Sequence, residues 1–411
     1  MNFTEKDEHF MRQALLLARQ GVALASPNPR VGAVVVSGSG EVAGSGFHTY
    51  DGVKHAEVIA LEQAGAKARG GTLYLNLEPC SHQGRTPPCA DAVIAAGISR
   101  VVAAMADPNP QVAGQGFAKL INAGIQLEVG LMEGEARKLN EAFAKYILTR
   151  LPLVTLKSGM TLDGKIAGPQ GSSVNSPQHA KRVPGTPVNA PMHEPSGAIA
   201  WITSEQARAH VQELRHESDA IMVGVGTVIA DDPLLTDRTG LPRRRGLRRV
   251  VLDSRLRLPL DSRVVKTVKD DVLVLCSFAE EKKKRELEAR GVRVEQVALG
   301  GADGRPDLHK AMARLGELEI TSVLVEGGAL LNWAALAAGV VDKVFFYYAP
   351  KILGGPGSVP FATGAGFRHL SEAALVKNIV LHRFGEDFAV EGYLRDPYSA
   401  ALTSTDAKDA K

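Results

Sequence analysis

The chain has few cysteines, few aromatic residues and little net charge, and each shortage excludes a class of protein. Three cysteines among 411 residues are too few for a disulfide framework, and their odd number favours a reducing compartment. Aromatic residues make up 5% of the chain and the formal net charge is +3. Neither nucleic acid nor a membrane surface is therefore indicated as a partner.

Long hydrophobic runs are also missing. No apolar stretch reaches the roughly 18 residues that a membrane-spanning helix needs, and the mean hydropathy is −0.04. The first residues are acidic ahead of the apolar positions, whereas a secretory signal begins with basic residues. We therefore expect a cytoplasmic protein without a membrane partner.

The chain is too long for one ordinary core, and its periodicity divides it into two α/β units. A first helix is predicted to begin after Thr4, its cap, and to end at Gly21. Strand and helix patterns alternate after it, and the alternation begins again in the second half of the chain. Such alternation predicts helices packed on mostly parallel sheets. We predict domains at 1–150 and 151–398, and a frayed tail at 399–411.

Three segments carry further predictions. Residues 133–149 have the pattern of one continuous helix. Residues 168–198 are rich in Pro, Gly, Ser and Asn without periodicity, which predicts a mobile insertion inside the second domain. The basic run RRRGLRR (243–249) contains no aromatic residue, so we interpret it as a solvated loop and not as a nucleic-acid site.

The segment EPCSHQGRTPPC holds Cys80 and Cys89 with eight residues between them, and His55 lies upstream. Each of the three is predicted at or just before a helix start, where the dipole favours a thiolate. One histidine and two thiolates with an open fourth position form the ligand set of a catalytic zinc site. Glu57 could take a proton from the attacking water and deliver it to a leaving amine.

A disulfide and a closed zinc knuckle are the alternatives to a catalytic site. The compartment opposes a disulfide, and a knuckle would need a fourth ligand, for which His82 is the candidate nearby in sequence. The H-A-E and P-C elements match the signature of zinc-dependent nucleobase deaminases, although that signature has a C-x-x-C spacing. Ligand types, glutamate placement and α/β context together favour catalytic zinc.

The second unit lacks a GxGxxG fingerprint after its first strand but contains two other glycine-rich turns. In LVEGGALLNWAAL, Glu326 and two glycines separate an apolar strand from a helix, and exposed amides at such a helix start can hold a pyrophosphate. The second turn is GVGTVIADD (224–232). An ordinary turn is the alternative in both places, and Cys276 is most simply a core residue.

Motifs in both units resemble one family, the bifunctional riboflavin-biosynthesis enzymes that fuse a pyrimidine deaminase to a pyrimidine reductase. The eight-residue gap between the cysteines is typical of that family. The motifs are SPNPRVGAVVV (26–36), GFHTYDGVKHAEVIAL (46–61), EPCSHQGRTPPC (78–89), TLKSGMTLDGKIA (155–167), WITSEQAR (201–208), GVGTVIADDPLLTDR (224–238) and LVEGGALLNWAAL (324–336).

The resemblance implies that the N-terminal domain is a cytidine-deaminase-like α/β/α sandwich and a hydrolase. It would bind one Zn²⁺ per chain through His55, Cys80 and Cys89, with Glu57 catalytic. It would remove the ring 2-amino group of a diaminopyrimidinone ribosyl phosphate as ammonia. Substrate-side candidates in the family motifs are Asn28, His48, His82 and Arg85. Turn chemistry at Asn28, and loop ordering by His82 or Arg85, are the alternatives.

For the second domain the resemblance implies a fold similar to dihydrofolate reductase and an NADPH-dependent reduction of the ribosyl group to ribityl. Family cofactor positions are Gly159, Trp201, Thr227, Asp231, Ser254, Gly328, Ala329, Leu330, Leu331, Asn332, Trp333 and Ala334. Family substrate positions are Lys157, Asp163, Arg215, Leu235, Arg238 and Glu326. The arginines suit a phosphate. Lys157 and Glu326 offer an acid/base pair whose individual roles stay open.

One position departs from the family pattern. Ile199 stands where the family has a serine, which puts one substrate contact in doubt and predicts a rebuilt loop over the reductase site. The expectation of NADPH over NADH as the cofactor rests on the resemblance. Ser254 and Arg255 could bind a 2′-phosphate, or they could simply end a strand. The expected partners are small phosphorylated pyrimidines, and a homo-oligomer is expected.

Overall fold

The computed structural model describes residues 3–84, 86–168, 201–301 and 304–399. These residues form two α/β units, each with its own main sheet, so the prediction of a two-domain α/β protein is confirmed. Among the described residues, no helix combines the length and apolar character that a membrane crossing requires. The predicted insertion and tail lie outside the described residues, apart from Gly168 and Ser399.

The first unit is built on a five-stranded sheet in the order β2-β1-β3-β4-β5. The β1–β2 and β1–β3 pairs are antiparallel, and β3, β4 and β5 are parallel. Apolar side chains of the central strands are fully buried in one core. The strands are β1 (Gly32–Val36), β2 (Val42–Phe47), β3 (Thr72–Leu75), β4 (Arg100–Ala103) and β5 (Gln126–Val129).

The helices in this part of the chain are α1 (Glu5–Gln20), α2 (Ala56–Ala64), α3 (Cys89–Ala95), α4 (Gln115–Asn122), α5 (Glu133–Leu139) and α6 (Glu141–Thr149). The predicted ends of α1 are confirmed, since Thr4 forms a capping box and Gly21 is the C-cap. The prediction of one helix over 133–149 is wrong. Asn140 interrupts it, because its side chain accepts from Arg30 N and donates to Arg30 O.

The second unit has a nine-stranded sheet in the order β11-β10-β9-β8-β12-β6-β13-β16-β15. It is parallel from β11 to β13 and antiparallel at β13–β16 and β16–β15. The strands are β6 (Leu153–Thr161), β7 (Lys165–Ala167), β8 (Ala220–Gly224), β9 (Arg248–Leu252), β10 (Val272–Cys276), β11 (Arg293–Gln296), β12 (Ser322–Val325), β13 (Lys343–Ala349), β14 (Val359–Pro360), β15 (Lys377–Phe384) and β16 (Asp387–Tyr393), with β7 and β14 in a small antiparallel pair.

The helices of this unit are α7 (Glu205–Glu217), α8 (Val225–Asp231), α9 (Arg263–Lys266), α10 (Glu281–Glu288), α11 (Leu308–Glu317) and α12 (Ala329–Ala337). In the parallel part, β12 lies between β6 and β8 although the three strands are far apart in sequence. Ligands of open α/β sheets bind beyond the carboxyl ends of strands, where the strand order reverses. The turn that follows β12 lies at such a place.

The basic run 243–249 is bonded to the protein, so its interpretation as a solvated loop is wrong. Arg249 is 1% exposed and pairs with Asp271, and Arg243 donates to the carbonyls of residues 215, 216 and 218. Arg244 donates to Ser26 O in the first unit. A guanidinium offers five N–H donors. These arginines donate to backbone carbonyls and a carboxylate of neighbouring segments and do not project into solvent.

Candidate functional site

His55, Cys80 and Cys89 come together at one end of the first sheet. His55 is the N-cap of α2 and Cys89 opens α3. The His55 Nδ1 atom lies 3.0 Å from Cys89 Sγ and 3.5 Å from Cys80 Sγ, and the three ligand atoms lie within 4.8 Å of one another. The three residues could therefore hold one metal ion.

Cys80 differs from its prediction, because it lies in the loop after β3 and not at a helix start. The start of α3 nevertheless faces it, since the backbone N–H of Cys89 donates to Cys80 Sγ over 3.2 Å. A hydrogen bond from the Cys89 thiol lowers the pKa of Cys80 to about 4, and the bond to Cys80 raises the pKa of His55. The hydrogen bond between the two thiols also raises the pKa of Cys89, so the fit to zinc rests on the ligand types: one imidazole and two sulfur atoms suit a zinc ion with three protein ligands.

Glu57 lies in the first turn of α2 and is 3% exposed. Its Oε2 atom finds no hydrogen-bond partner among the described residues, and burial raises the pKa of its carboxyl group. A buried carboxylate oxygen without a partner is rare in folded proteins and requires an explanation. It is the atom through which Glu57 could receive a proton from a molecule bound beside the three ligands.

His48 and Asn28 form a hydrogen-bonded pair behind His55. Asn28 Nδ2 is 3.0 Å from His48 Nε2, and His48 Nδ1 is 3.0 Å from Lys54 O. Because an amide nitrogen only donates, Nε2 accepts and Nδ1 donates to the carbonyl. The His48 ring meets the His55 ring edge to face at 5.2 Å, so the pair stands directly against a ligand. His82 is exposed, and Arg85 lies outside the described residues.

Glu78 is a residue of this region that the sequence analysis did not select. It is 4% exposed and accepts from four backbone N–H groups, those of residues 107, 114, 116 and 117. The carboxylate therefore fastens that loop beside Cys80, and burial raises the pKa of the neighbouring Asp107 to about 6. The available signal was an acidic residue three positions after a buried strand and directly before Pro79-Cys80.

A second cluster of charged residues gathers at the carboxyl end of β12. Glu326 follows β12, Lys157 lies in β6 and Arg215 lies in α7. Arg215 makes a two-pronged contact with Glu326, with Nε–Oε1 at 2.7 Å and Nη2–Oε2 at 3.0 Å. Lys157 Nζ is 3.6 Å from Glu326 Oε2. The structure thus brings together three predicted residues from positions 157, 215 and 326.

The three charges do not titrate alike. Burial alone would raise the pKa of Glu326, but Arg215 and Lys157 outweigh it and lower that pKa to about 2. Burial lowers the pKa of Lys157, and the positive charge of Arg215 adds to this, while Glu326 only partly opposes it. One carboxylate shared by two cations therefore stays ionised, and Lys157 is the group that most readily releases a proton.

The glycine turn after β12 leads directly into α12. A Cβ atom on Gly327 would lie 2.8 Å from Leu331 Cβ, and one on Gly328 would lie 3.7 Å from Thr227 Oγ1. Gly328 is the N-cap of α12, so the amides of its first turn, including those of Ala329 and Leu330, point toward this edge. The turn thus brings the α12 start next to Thr227, a residue of α8.

Within α12, the side chains differ in environment. Asn332 is fully buried and donates to Phe361 O, and Trp333 packs edge to face on Phe367 at 5.1 Å. Leu330 is 55% exposed. Leu331 and Ala334 are partly buried against the core. Asn332 therefore anchors the helix through its amide group.

The remaining predicted residues of the second unit lie around this cluster or at its rim. Asp163 accepts from Thr161 Oγ1 and from the amides of residues 353 and 354, so it also holds a turn. Trp201 is 54% exposed under the Arg208 guanidinium. Gly159 would meet Thr203 Cγ2 at 3.2 Å if it carried a Cβ atom.

Four further predicted residues of the second unit remain: Leu235, Arg238, Asp231 and Ser254. Leu235 is buried with φ at 55°, and Arg238 is exposed, with a pKa that burial and the nearby Arg215 lower. Asp231 is exposed at the end of α8, and Ser254 O accepts from Phe278 N. Ile199 lies outside the described residues.

Comparisons with known proteins agree with this two-part arrangement. Residues 4–105 match the family described as the cytidine and deoxycytidylate deaminase zinc-binding region. Residues 190–390 match the family described as the RibD C-terminal domain. A zinc-binding deaminase domain is therefore followed by a reductase domain of the RibD type, which implies Zn²⁺ and NADPH as cofactors.

Full-length relatives have the same arrangement. The riboflavin biosynthesis protein RibD of Aquifex aeolicus is 41% identical, over 94% of this chain and 98% of its own. The solved RibD of Acinetobacter baumannii has a TM-score of 0.76 and 35% identity, over 95% and 99% of the two chains. A solved Thermotoga maritima protein, named as a diaminohydroxyphosphoribosylaminopyrimidine deaminase/5-amino-6-(5-phosphoribosylamino)uracil reductase, has a TM-score of 0.74 and 34% identity, over 94% and 98%. The chain therefore belongs to the RibD family of bifunctional deaminase–reductases in riboflavin biosynthesis.

Proposed function

We propose that the chain catalyses two successive steps on one phosphorylated pyrimidine. The domain at 1–150 deaminates a diaminopyrimidinone ribosyl phosphate, and the domain at 151–398 reduces the ribosyl group of the product to ribityl. The observation that carries the first step is the buried, unpartnered oxygen of Glu57 beside the three converging ligand atoms. The resemblance noted from the sequence supports the order of the two steps.

In the deaminase site, His55, Cys80 and Cys89 would hold the zinc ion. Bound zinc supplies a Lewis acid that lowers the pKa of water. Glu57 takes a proton from the attacking water and gives it to the leaving amine, so ammonia departs and a carbonyl oxygen replaces the amino group. Asn28 and His48 orient the pyrimidine, because their paired side chains stand next to the His55 ring.

His82 and Arg85, in the loop between the cysteines, contact the phosphate side of the same substrate. The exposed position of His82 is compatible with a group that meets a ligand from solvent. Both residues carry or can acquire positive charge, which suits a phosphate. The alternative role of these residues is to order the loop. A substrate analogue without the phosphate separates the two roles. If His82 contacts the phosphate, His82→Ala should slow ammonia release from the phosphorylated substrate and not from the analogue.

In the reductase site, Lys157 is the proton donor. Glu326 cannot fill that role because Arg215 and Lys157 hold its pKa at about 2, so it is ionised throughout the neutral range. NADPH would supply a hydride for the anomeric carbon, and Lys157 would give its proton to the ring oxygen that leaves this carbon. Glu326 and Arg215 keep the Lys157 ammonium at the place of that transfer.

The residues at the start of α12 would hold the cofactor. The α12 amides from Ala329 onward and the Thr227 hydroxyl would bind the pyrophosphate, and Gly327 lets the strand-to-helix turn pack closely against Leu331. The remaining family positions that line the cofactor are Gly159, Trp201, Asp231, Ser254, Gly328, Leu330, Leu331, Asn332, Trp333 and Ala334. The family positions that would line the substrate are Lys157, Asp163, Arg215, Leu235, Arg238 and Glu326.

A cysteine exchange in each domain tests the division of labour. We expect full-length Cys80→Ser to lose zinc and ammonia release, because one of three ligands is gone, while it still oxidises NADPH when given the deaminated intermediate. Cys276→Ser is the matched control: this buried cysteine lies in the second domain and should leave both zinc content and ammonia release intact. Ammonia release by zinc-free Cys80→Ser protein at the wild-type rate would contradict the proposal.

We also infer a cytoplasmic homo-oligomer that acts on small molecules and not on nucleic acid. Unpaired cysteines are compatible with a reducing compartment. Light scattering at several protein concentrations tests the oligomeric state, and a mass of one chain at all concentrations would contradict it.

A further inference from the structure

Arg244 belongs to the second unit but makes its contacts in the first. Its Nη1 donates to Ser26 O over 2.9 Å, and its backbone N–H donates to Ala23 O over 2.9 Å. Its Nε lies 3.1 Å from Asp51 Oδ1, and the guanidinium carbon lies 3.6 Å from the centre of the Tyr50 ring. One arginine therefore holds two segments of the deaminase domain, 23–28 and 49–54.

Both segments lead directly to residues at the metal centre. The first segment ends at Asn28, and the second connects His48 to His55. The two are also joined to each other, since Tyr50 N donates to Leu24 O over 3.0 Å. Any shift of either segment would thus move the Asn28–His48 pair relative to the ligand His55.

The second segment also holds the tautomer of His48. The carbonyl of Lys54 accepts a hydrogen bond from His48 Nδ1, and His48 Nε2 accepts one from Asn28 Nδ2. The segment reaches this position through a left-handed residue, Val53, with φ at 63°. A β-branched residue is disfavoured in that conformation, so contacts from outside the loop are needed to keep it there.

The Arg244–Asp51 ion pair alone does not explain how Arg244 keeps the two segments in place. Asp51 is 74% exposed at its side chain, and such surface pairs contribute little. The Arg244 side chain is 17% exposed, its guanidinium carbon lies 3.6 Å from the centre of the Tyr50 ring, and it has a fixed fork of donors that a lysine lacks. The carbonyl of Ser26 and the ring of Tyr50 are therefore the contacts that matter.

We propose that Arg244 is a positioning residue of the deamination reaction, contributed by the reductase domain. This inference rests on the proposed deaminase function. It makes the reductase domain a structural part of the deaminase site, because the two segments that carry Asn28 and His48 are fastened from across the domain boundary.

Arg245 provides the matched control. It is the next residue in the same basic run, but its Nη2 donates to Glu319 O over 2.9 Å within the second unit. Arg245→Gln therefore removes the same charge and the same kind of hydrogen bond without releasing either segment. We expect it to retain both activities.

The test uses the full-length, zinc-loaded protein with Arg244→Gln, Arg244→Lys and Arg245→Gln. We expect Arg244→Gln to lower kcat/KM for ammonia release by about tenfold or more, since small misplacements of orienting groups have effects of that order. The loss should appear mainly in KM, because Asn28 and His48 orient the substrate. Arg244→Lys should recover only part of it, and NADPH oxidation with the deaminated intermediate should stay within about twofold of wild type.

Two results would overturn the inference. Equal ammonia release by Arg244→Gln and Arg245→Gln would show that the contacts do not position the site. A parallel fall of both activities with loss of zinc would show that Arg244 stabilises the whole protein. If Arg244→Gln does not fold, Tyr50→Leu removes the ring beneath the guanidinium and should give the same KM-weighted loss. A wild-type protein that releases no ammonia would instead contradict the proposed function itself.

Discussion

The two sites of this chain are built in opposite ways. The candidate metal site of the deaminase domain brings together positions 55, 80 and 89, which could hold a metal ion, and its chemistry depends on the types of donor atom. The reductase site takes three charged residues from positions 157, 215 and 326, and their chemistry depends on which charge lies beside which. A metal site is thus specified mainly by residue type, and a buried charge cluster is specified by arrangement.

Electrostatics shows the same contrast. In the first site, Glu57 has an oxygen without a partner among the described residues, and burial raises its pKa. In the second site, Glu326 has two cationic partners and its pKa falls to about 2. Two buried glutamates therefore do different work: the first can carry a proton, and the second supplies a fixed negative charge.

Removing the proton carrier of the first site should have the largest effect. We expect Glu57→Gln to lower kcat for ammonia release by about a hundredfold to ten-thousandfold, the usual range for a general acid–base. Zinc content, measured by atomic absorption, and NADPH oxidation should stay unchanged. Glu62→Gln on the same helix, whose side chain is more than half exposed, should be near wild type. Ammonia release by Glu57→Gln at the wild-type rate would refute proton transfer by Glu57. The contrast drawn between Glu57 and Glu326 would then not hold.

Removing the fixed charge of the second site should lower stability as well as activity. Glu326→Gln leaves Arg215 and Lys157 buried without a counterion. We therefore expect the free energy of unfolding to fall by about 3–5 kcal/mol and NADPH oxidation to be lost. Denaturant unfolding of the full chain measures the first change. The exposed Glu317→Gln, on a surface ion pair, should shift stability little. A Glu326→Gln protein as stable as wild type would show that the cluster is not the tightly coupled unit described here.

The pH dependence of reduction should show the smallest of these effects. Burial lowers the pKa of Lys157 below 10.5, and the proton donor must be protonated. Reduction should therefore fall as pH rises, with an apparent pKa below 10.5 in the kcat/KM profile. Lys157→Arg, which stays protonated, should be slower and lack this alkaline limb. An unchanged limb in that variant would assign the titration, and the role of acid, to another group.

Much of the first site could be predicted from the sequence. His55, Glu57, Cys80 and Cys89 lie close together in the chain, and their residue types allow few other combinations. The position of Cys80 at a helix start was predicted wrongly, because a loop brings its thiol to the α3 amide from outside that helix. Glu78 was missed because its four backbone partners belong to a segment about 30 to 40 residues away.

The second site and the contact between domains could be predicted only in part. The family resemblance indicated Lys157 and Glu326 but left open which is the acid. Our proposal that Lys157 is the acid needed the position of Arg215 in α7, which only packing against the sheet provides. The basic run was misread for the same reason, since local pattern cannot show that Arg244 meets Tyr50 and Ser26 across the boundary.

The sequence by itself determined that the chain has two α/β units, a candidate His-Cys-Cys metal site with an adjacent glutamate, and the motifs of a deaminase joined to a reductase. These follow from periodicity and residue type, which are local properties. Only the tertiary structure brings Arg215 and Lys157 against Glu326, which leads us to propose Lys157 as the proton donor, and places Arg244 against Ser26 and Tyr50 of the first unit. Those outcomes depend on distances between charges far apart in the chain, and the electrostatic energy of a pair is set by that distance and by burial.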